Sequence, residues 1–529
     1  MFRKSIYAAL LCGSAFAISG VAFAQELPAA QAEPEPTEPD ASDTTADAAI
    51  AEAQPVDELQ SKIELLQAQV EALQDALEGV KAAQVKTTPT WKGAPQFDDK
   101  DAGWSFKPRG RLQFDVGFVG NPEDDIVTRN LGFNARARRI RLGVEGTIPG
   151  GFGYKAEMDF ANSSVGFGDV IITYAPSGKP FNFSIGNHET LNGLEQISSS
   201  RFLSFVERAA FDDAFINTRR IGLSAGYAKN VFRFNAGIFA AHSIDSSLDN
   251  DGWIGAARAT YSPLMGANQL HFGANYQHRN FQSNNGATVN SQGGGEPSAN
   301  QRVRYRARPF TQLTDQRFVN TDFFAAKSDN IFGLEFAGIF KSLHVAAEGQ
   351  YTVANAYDRG DTLIAGTDPL DLFSSTSVFV PTGNPSFWGG YAEVGYFFTG
   401  ETRGYKTGTW DRTKVLKPFS KGGWGALQLN GRVDYLDLDS SRLKNGCSNN
   451  FVTGACTGAP ILSKGGTQLG LLASLVWIPE DYMRFYLQYS HAAITGGPFA
   501  ATVKAGSSKP IDEREYGVDT VAARAQIDF

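Results

Sequence analysis

The chain has 529 residues and carries 48 Lys/Arg against 56 Asp/Glu, a formal charge of −8, with 20% charged side chains. That total is unevenly distributed along the chain and so does not define the ligand of the folded body; no nucleic-acid partner is expected. Six histidines and three cysteines, one of them inside the first 24 residues, leave no metal-ligand cluster and require no cofactor.

Residues 1–24 predict a cleaved secretory signal: Arg3 and Lys4, an apolar run from Ile6 to Phe23, and a small-x-small site at Ala22-Phe23-Ala24. Gly13, Ser14, Ser19 and Gly20 interrupt the run, which argues against a membrane-anchor helix. No later stretch reaches the roughly 20 apolar residues of a spanning helix, so a membrane position would have to be held by strands. Residues 25–55, rich in Ala, Glu, Pro and Thr with almost no large apolar residue, read as a disordered acidic linker. The charge is segregated: residues 25–84 hold 14 Asp/Glu and 2 Lys, which leaves 42 acidic and 44 basic side chains in 85–529. Over 56–84, Val56, Leu59, Ile63, Leu66, Val70, Leu73, Leu77 and Val80 alternate spacings of three and four, an a/d seam that predicts a self-associating coiled coil. Its helix either reinforces an oligomer or reaches towards the cell wall. Residues 85–104 read as a second linker.

From 105 to 529, segments of alternating hydrophobicity predict sixteen strands. The first eight are Arg109–Val119, Ala137–Thr147, Tyr154–Ala161, Asp169–Ala175, Phe181–Asn187, Arg219–Tyr227, Val231–Ala241 and Gly252–Tyr261. The second eight are Gln269–Arg279, Asn330–Phe340, Leu343–Thr352, Trp388–Phe398, Gly425–Leu436, Thr467–Ile478, Tyr482–His491 and Asp519–Phe529. Connections after even strands are tight, as at Pro149-Gly150-Gly151 and Ala228-Lys229-Asn230, and those after odd strands are long. Residues 399–424 break that rule. In the last strand Val521, Ala523, Ala525, Ile527 and Phe529 share one face and Arg524, Gln526 and Asp528 the other. Apolar outside and charged inside is the pattern of a membrane barrel with a polar pore. The fold expected is therefore all-β: a sixteen-stranded antiparallel transmembrane barrel preceded by a short coiled-coil helix.

Parity sends Arg111, Arg139, Arg141, Lys155, Arg220, Arg233, Arg258, Arg279, Arg432, Arg484 and Arg524 into the lumen. Asp115, Glu157, Asp159, Glu335, Glu348, Asp434 and Asp528 face the same way, so cross-strand ion pairing competes with any anion role. Arg302, Arg304, Arg306 and Arg308 lie on one face of an extended segment, with Val303, Tyr305 and Ala307 opposite and no acid between them. At about 3.3 Å per residue they stand roughly 6.6 Å apart, a ladder for an anion. The competing assignment is a surface loop on lipopolysaccharide phosphates. Residues 188–218 are too apolar for an exposed loop. Burying Leu191, Leu194, Ile197, Phe202, Leu203, Phe205 and Val206 on the inner wall would leave Ser198–Ser200, Arg201 and Arg208 for the pore. Cys447 and Cys456, in a Gly/Ser/Asn-rich stretch, are candidates for a short-loop disulfide in an oxidising compartment. A barrel enzyme would need a Ser–His pair on adjacent lipid-facing positions, whereas His271 and His344 point inward by parity.

Four stretches together resemble the phosphate-selective outer-membrane porins, the porin O and P family. They are Ala137-Arg-Arg-Ile-Arg-Leu-Gly-Val-Glu-Gly146, Gly193-Leu-Glu-Gln-Ile-Ser-Ser-Ser-Arg201, Arg304-Tyr-Arg-Ala-Arg-Pro309 and Gly390-Tyr-Ala-Glu-Val-Gly-Tyr-Phe-Phe-Thr-Gly-Glu401. The resemblance implies a homotrimer of sixteen-stranded channels in the bacterial outer membrane, with an inward-folded third loop. It assigns the anion role most directly to Arg201, Arg304, Arg306 and Arg308. Phosphate-selective members carry lysines near the constriction, whereas residues 188–218 have none and 280–329 only Lys327. The expected function is passive diffusion of small anions, inorganic phosphate or polyphosphate first. The alternatives are a general or differently selective porin and an envelope-tethering structural barrel. Partners expected are the anions, outer-membrane lipid and lipopolysaccharide.

Overall fold

The computed structural model describes residues 56–87, 89–91, 93–99, 101–122, 130–161, 165–215, 218–242, 244, 252–281, 302–356, 381, 383–443, 446–447, 460–461 and 464–529. The signal and acidic linker expected before residue 56, the side chain of Cys447 and all of Cys456 lie outside the described residues, and so does the disulfide. Val56–Thr87 is a single helix, α1. Ile63, Leu66, Val70, Leu73, Leu77 and Val80 are each more than half exposed on it. The linker expected over 85–104 contains the end of α1 and a small ladder, in which Thr90–Trp91 pairs with Pro95–Gln96 and Phe97–Asp99 with Trp104–Phe106. No described helix is long and apolar enough to cross a membrane.

Sixteen long strands form one antiparallel sheet that closes on itself. They are β1 (Trp104–Val119), β2 (Gly132–Ile148), β3 (Phe152–Asp159), β4 (Gly166–Tyr174), β5 (Phe181–Glu189), β6 (Arg219–Lys229), β7 (Phe232–Ala240) and β8 (Gly252–Tyr261). Then follow β9 (Asn268–Phe281), β10 (Phe324–Phe340), β11 (Leu343–Ala356), β12 (Ser386–Phe397), β13 (Ala426–Asp437), β14 (Thr467–Glu480), β15 (Met483–Thr495) and β16 (Glu515–Asp528). Each expected strand is present, several of them longer at the outer end. Closure pairs Arg111 with Asp528 and Arg524 with Asp115 across the seam, and Gly110 exchanges two backbone hydrogen bonds of 3.0 Å with Phe529. A Cβ on Gly110 would lie 2.0 Å from the Phe529 ring, so the closing aromatic requires glycine there.

Burial alternates along the wall with a period of two. On β15, Phe485, Leu487 and Tyr489 are exposed, while Arg484, Tyr486, Gln488 and Ser490 are buried. The outward row is the lipid-facing one, and the polar row faces a filled lumen. One register shift matters. Gln113 of β1 pairs with Arg139 but Phe114 with Ala137, so Arg138 is a bulge residue. The bulge lets Arg136, Arg138, Arg139 and Arg141 all reach lumen-side partners, where strict alternation from Arg141 would have turned Arg136 and Arg138 to lipid.

A barrel of sixteen strands is too wide for wall side chains to fill. Here three connections fold inward and build a core inside it. The third outer loop, between β5 and β6, contributes α2 (Leu194–Ile197) and α3 (Ala210–Phe215), with Phe205, Phe211 and Phe215 fully buried. The fifth outer loop, between β9 and β10, brings in Tyr305, Phe310, Leu313 and Phe318. The third is the connection between β12 and β13 on the periplasmic side. Its departure from the short-turn rule has a structural reason, because residues 401–413 rise into the lumen. Arg403 donates to Ser204 Oγ (2.8 Å) and the Phe202 carbonyl (2.6 Å), and the Trp410 amide to Ser198 Oγ (2.9 Å).

Candidate functional site

The third loop is fixed to one half of the lumen wall by carboxylates. Glu195 accepts Arg432 of β13 at 2.5 Å and the Ala209 amide at 2.9 Å. Its own amide donates to Glu348 of β11 at 2.7 Å, and a Cβ on Gly193 would sit 2.2 Å from that same carboxylate. Asp434 of β13 receives the Ala210 amide, and Gln488 of β15 the Val206 amide. Arg432 also reaches Glu393 of β12 at 2.6 Å and lies over the rings of Phe205 and Tyr391. Loop backbone and one arginine thus occupy the wall acids of β11–β13, which are buried under the loop. The opposite side, β1–β6, is the more open half, although Ser199, Ser200 and Glu207 of the loop also bond Arg111 and Arg138 there.

Two cavities run along that open half. The outer, about 320 Å³, is lined by Arg138, Arg139, Arg141, Arg208, Arg219 and Arg308 with Glu189, Glu207, Asp212 and Asp213. The inner, about 140 Å³, has eight cationic side chains, Arg109, Arg111, Arg139, Arg141, Lys155, Arg201, Arg208 and Arg219. Against them stand three carboxylates, Glu157, Asp169 and Glu189. The cavities share Arg139, Arg141, Glu189, Arg208 and Arg219, so they adjoin along the wall.

The cations differ in how far they are neutralised. Arg141 holds Glu157 at 2.9 Å and Asp159 at 2.8 Å; Arg219 holds Asp169 at 2.6 Å and Glu189 at 2.9 Å; Lys155 pairs with Asp169. Arg111 reaches Glu157 only at 4.0 Å and spends its donors on Ser200 Oγ (2.7 Å) and Ser199 Oγ (3.2 Å). Arg139 donates to Gln113 Oε1 at 2.8 Å, has no ion pair among the described residues, and leaves Nε without a protein acceptor. A buried guanidinium with a free donor and no counter-ion is costly unless something anionic comes to it. Arg111 and Arg139 are thus among the least neutralised cations of the inner cavity, which Ser198, Ser199 and Ser200 also line.

Expected site residues fall into distinct places. Arg201 lines the inner cavity, 3.4 Å from Asp528; burial lowers its pKa against the pull of that acid. Arg208 lines both cavities while binding the carbonyls of Glu195, Gln196 and Ser198. In the fifth loop Val303, Tyr305 and Ala307 are buried and the arginines lie opposite, but the segment is no bare ladder. Arg308 pairs with Asp213 at 3.2 Å, and Arg304 lies 4.2 Å over Phe323. Arg306 has no ion pair among the described residues, and the side chain of Arg302 lies outside them. Arg220 donates to the carbonyls of Ala241 and Arg219, and its neighbour Arg219 takes the cavity position. Arg233 stands beside Gly408 of the periplasmic insert, away from both cavities. Arg138, brought in by the bulge, and Arg219, at a strand end, were not anticipated as site residues. Asp212 also lines the outer cavity: it is buried, neither carboxyl oxygen has a protein partner, and burial followed by Glu195 and Glu348 pushes its pKa well up.

The family model described as phosphate-selective porin O and P matches residues 106–497. A protein of Caulobacter vibrioides, described as uncharacterized, is 35% identical over 458 residues, 85% of this chain and 78% of its own length. Porin O of Pseudomonas aeruginosa is 29% identical over 204 residues, 36% of this chain and 45% of its own. Among solved structures, the anion-selective porin from Comamonas acidovorans superposes with a TM-score of 0.43 at 11% identity, covering 80% of this chain and all of that one.

Proposed function

Starting from the membership of this chain in the phosphate-selective porin O and P family, an outer-membrane channel family, we propose that it passes small anions by diffusion, with inorganic phosphate as the leading substrate. The observation that carries the reading is the inner cavity, where eight cations face three carboxylates and Arg139 lacks a counter-ion. Like-signed lining raises the local anion concentration. Arg offers planar paired donors suited to phosphate or carboxylate. Passage also requires that no single site hold the ion too strongly. The acids on Arg141, Lys155 and Arg219 moderate the site in that sense. Arg201, Arg208, Arg304, Arg306 and Arg308 are assigned to the approach and the narrow zone, Arg139 and Arg141 to its wall. On that family membership the lumen is read as a channel and not as an active site.

The native unit in this reading is a homotrimer, to which the exposed seam of α1 contributes an interhelical contact. Single-channel conductance in planar bilayers tests the function. Chloride current should exceed that of large organic cations, and phosphate should block it at millimolar concentration or below. A cation-selective pore rejects the anion reading, and one that phosphate never blocks rejects the substrate. Arg304→Ala with Arg306→Ala should lower anion selectivity without changing the barrel's heat resistance.

A further inference from the structure

The periplasmic insert between β12 and β13 has two halves of opposite character. Residues 401–413 are packed in the lumen; residues 414–424 turn outward. Trp424 is 83% exposed, Leu416 59% and Phe419 56%, and Lys414, Lys417 and Lys421 are exposed beside them. Large apolar side chains so placed are unfavourable in water, and their clustering marks a surface meant to be covered.

Ring contacts indicate by what. Phe419 packs edge-on against Trp477 of β14, centroids 6.0 Å apart, and Trp477 stacks on Phe485 of β15 at 5.4 Å. The Trp477 indole N–H donates to the Trp424 carbonyl at 2.8 Å. Phe485 belongs to the lipid-facing row, since its neighbours Arg484 and Tyr486 are buried in the lumen. An aromatic ribbon therefore runs from the insert onto the membrane-facing wall at the periplasmic rim. Two acids lie nearby, Glu480 accepting the Ser420 amide and Asp481 the Val415 amide, so the three lysines keep a positive excess over them. Lys414, Lys417 and Lys421 form no ion pair among the described residues.

We propose that residues 414–424 bind anionic phospholipid of the periplasmic leaflet, with Lys417 and Lys421 on the headgroup phosphate and Trp424, Phe419 and Leu416 among the upper acyl chains. Amphipathic aromatic rings favour that depth. Lysine ammonium groups are attracted to an anionic leaflet over about a Debye length. Held at the rim by lipid, the outer half of the insert would steady the inner half, whose Arg403 grips the third loop.

Native mass spectrometry of the full-length protein, released from outer membranes and titrated with phosphatidylglycerol or phosphatidylethanolamine, tests this. Wild type should prefer phosphatidylglycerol, and Lys417→Glu with Lys421→Glu should weaken that binding about tenfold or more. Trp424→Ser with Phe419→Ser should weaken both lipids, while conductance selectivity stays anionic. Equal retention of the two lipids by wild type overturns the proposal without any variant. So does an unchanged phosphatidylglycerol affinity in the lysine pair, or a segment that captures peptidoglycan fragments with no lipid preference.

Discussion

Arg524 on β16 lies 2.9 Å from Glu207 in the third loop. The same guanidinium holds Asp115 of β1 at 2.6 Å, so one side chain fastens the barrel seam and the loop that narrows the pore. Despite burial, Arg138 and Arg524 hold the Glu207 carboxyl well below the usual carboxylate range. A depressed pKa means stabilisation that is present above the ordinary value of 4.5 and lost only as the pH falls through the depressed one. Replacing Arg524 by Met leaves buried Asp115 without its partner and Glu207 with Arg138 alone, at a cost of about 3–5 kcal/mol. The expected result is a lower melting temperature of the folded barrel and larger, noisier single-channel currents. Currents identical to wild type would show that the loop is held by its other contacts alone.

Arg139 and Arg141 are neighbours on the wall but unequal in charge balance. Arg141 is matched by Glu157 and Asp159, whereas Arg139 meets only an amide oxygen. Arg139→Gln should therefore weaken phosphate block by about tenfold, a change worth some 1.4 kcal/mol. Arg141→Gln frees two acids into the path and should shift the ion selectivity more than the block. Equal effects of both variants on both measurements would contradict this division.

Asp212 supplies a pH dependence. Its pKa is pushed well above 3.8, so the carboxyl keeps its proton when ordinary aspartates have lost theirs. The folded state then binds more protons than the unfolded one, and stability falls as the pH rises from 3.8 through the raised value. Ionisation also places a negative charge in the outer cavity near Arg208. Anion-over-cation selectivity should drop as the pH rises beyond the ordinary carboxylate range, and Asp212→Asn should flatten that drop. Identical pH profiles for wild type and Asp212→Asn would rule it out.

The seam of α1 predicts self-association. Gln60, Gln67 and Gln74 flank it at e, Lys62, Gln69 and Ala76 at g, and the acids sit on the outer positions, so parallel copies meet with no acid facing an acid and Lys62 opposite a glutamine. Leu66→Cys, in a chain with Cys447 and Cys456 changed to Ser, should cross-link between copies in intact membranes. Ile63→Glu with Leu66→Glu should lower the temperature at which the assembled oligomer dissociates, leaving conductance unchanged. No cross-link at any seam position would exclude the contact.

The wall was readable because its period is two and one face meets lipid: Val521 to Phe529 against Arg524 and Asp528 needed no neighbour to be understood. The inward third loop was readable because Phe202, Phe205 and Val206 had nowhere else to go. Arg138 was not, since a bulge changes facing by one residue and leaves no mark in composition. The insert at 399–424 signalled only its length; its path depends on Arg403 and Trp410 meeting a loop two hundred residues earlier. Pairing had the same effect on Arg308, whose acid Asp213 lies 95 residues away, beyond any local pattern.

Asp115 and Arg524, bonded across the seam, are 409 residues apart in sequence. Every other junction between neighbouring strands is bridged by a hairpin, so this one is the contact with by far the largest loop to close, and contact order makes such pairings slow. A growing sheet would expose the unpaired edge of β1 until β16 arrives, and the first three inward segments would have no finished wall to settle against. Biogenesis of this chain should therefore be limited by one late zippering event, and anything that shields the edge of β1 beforehand would govern its yield.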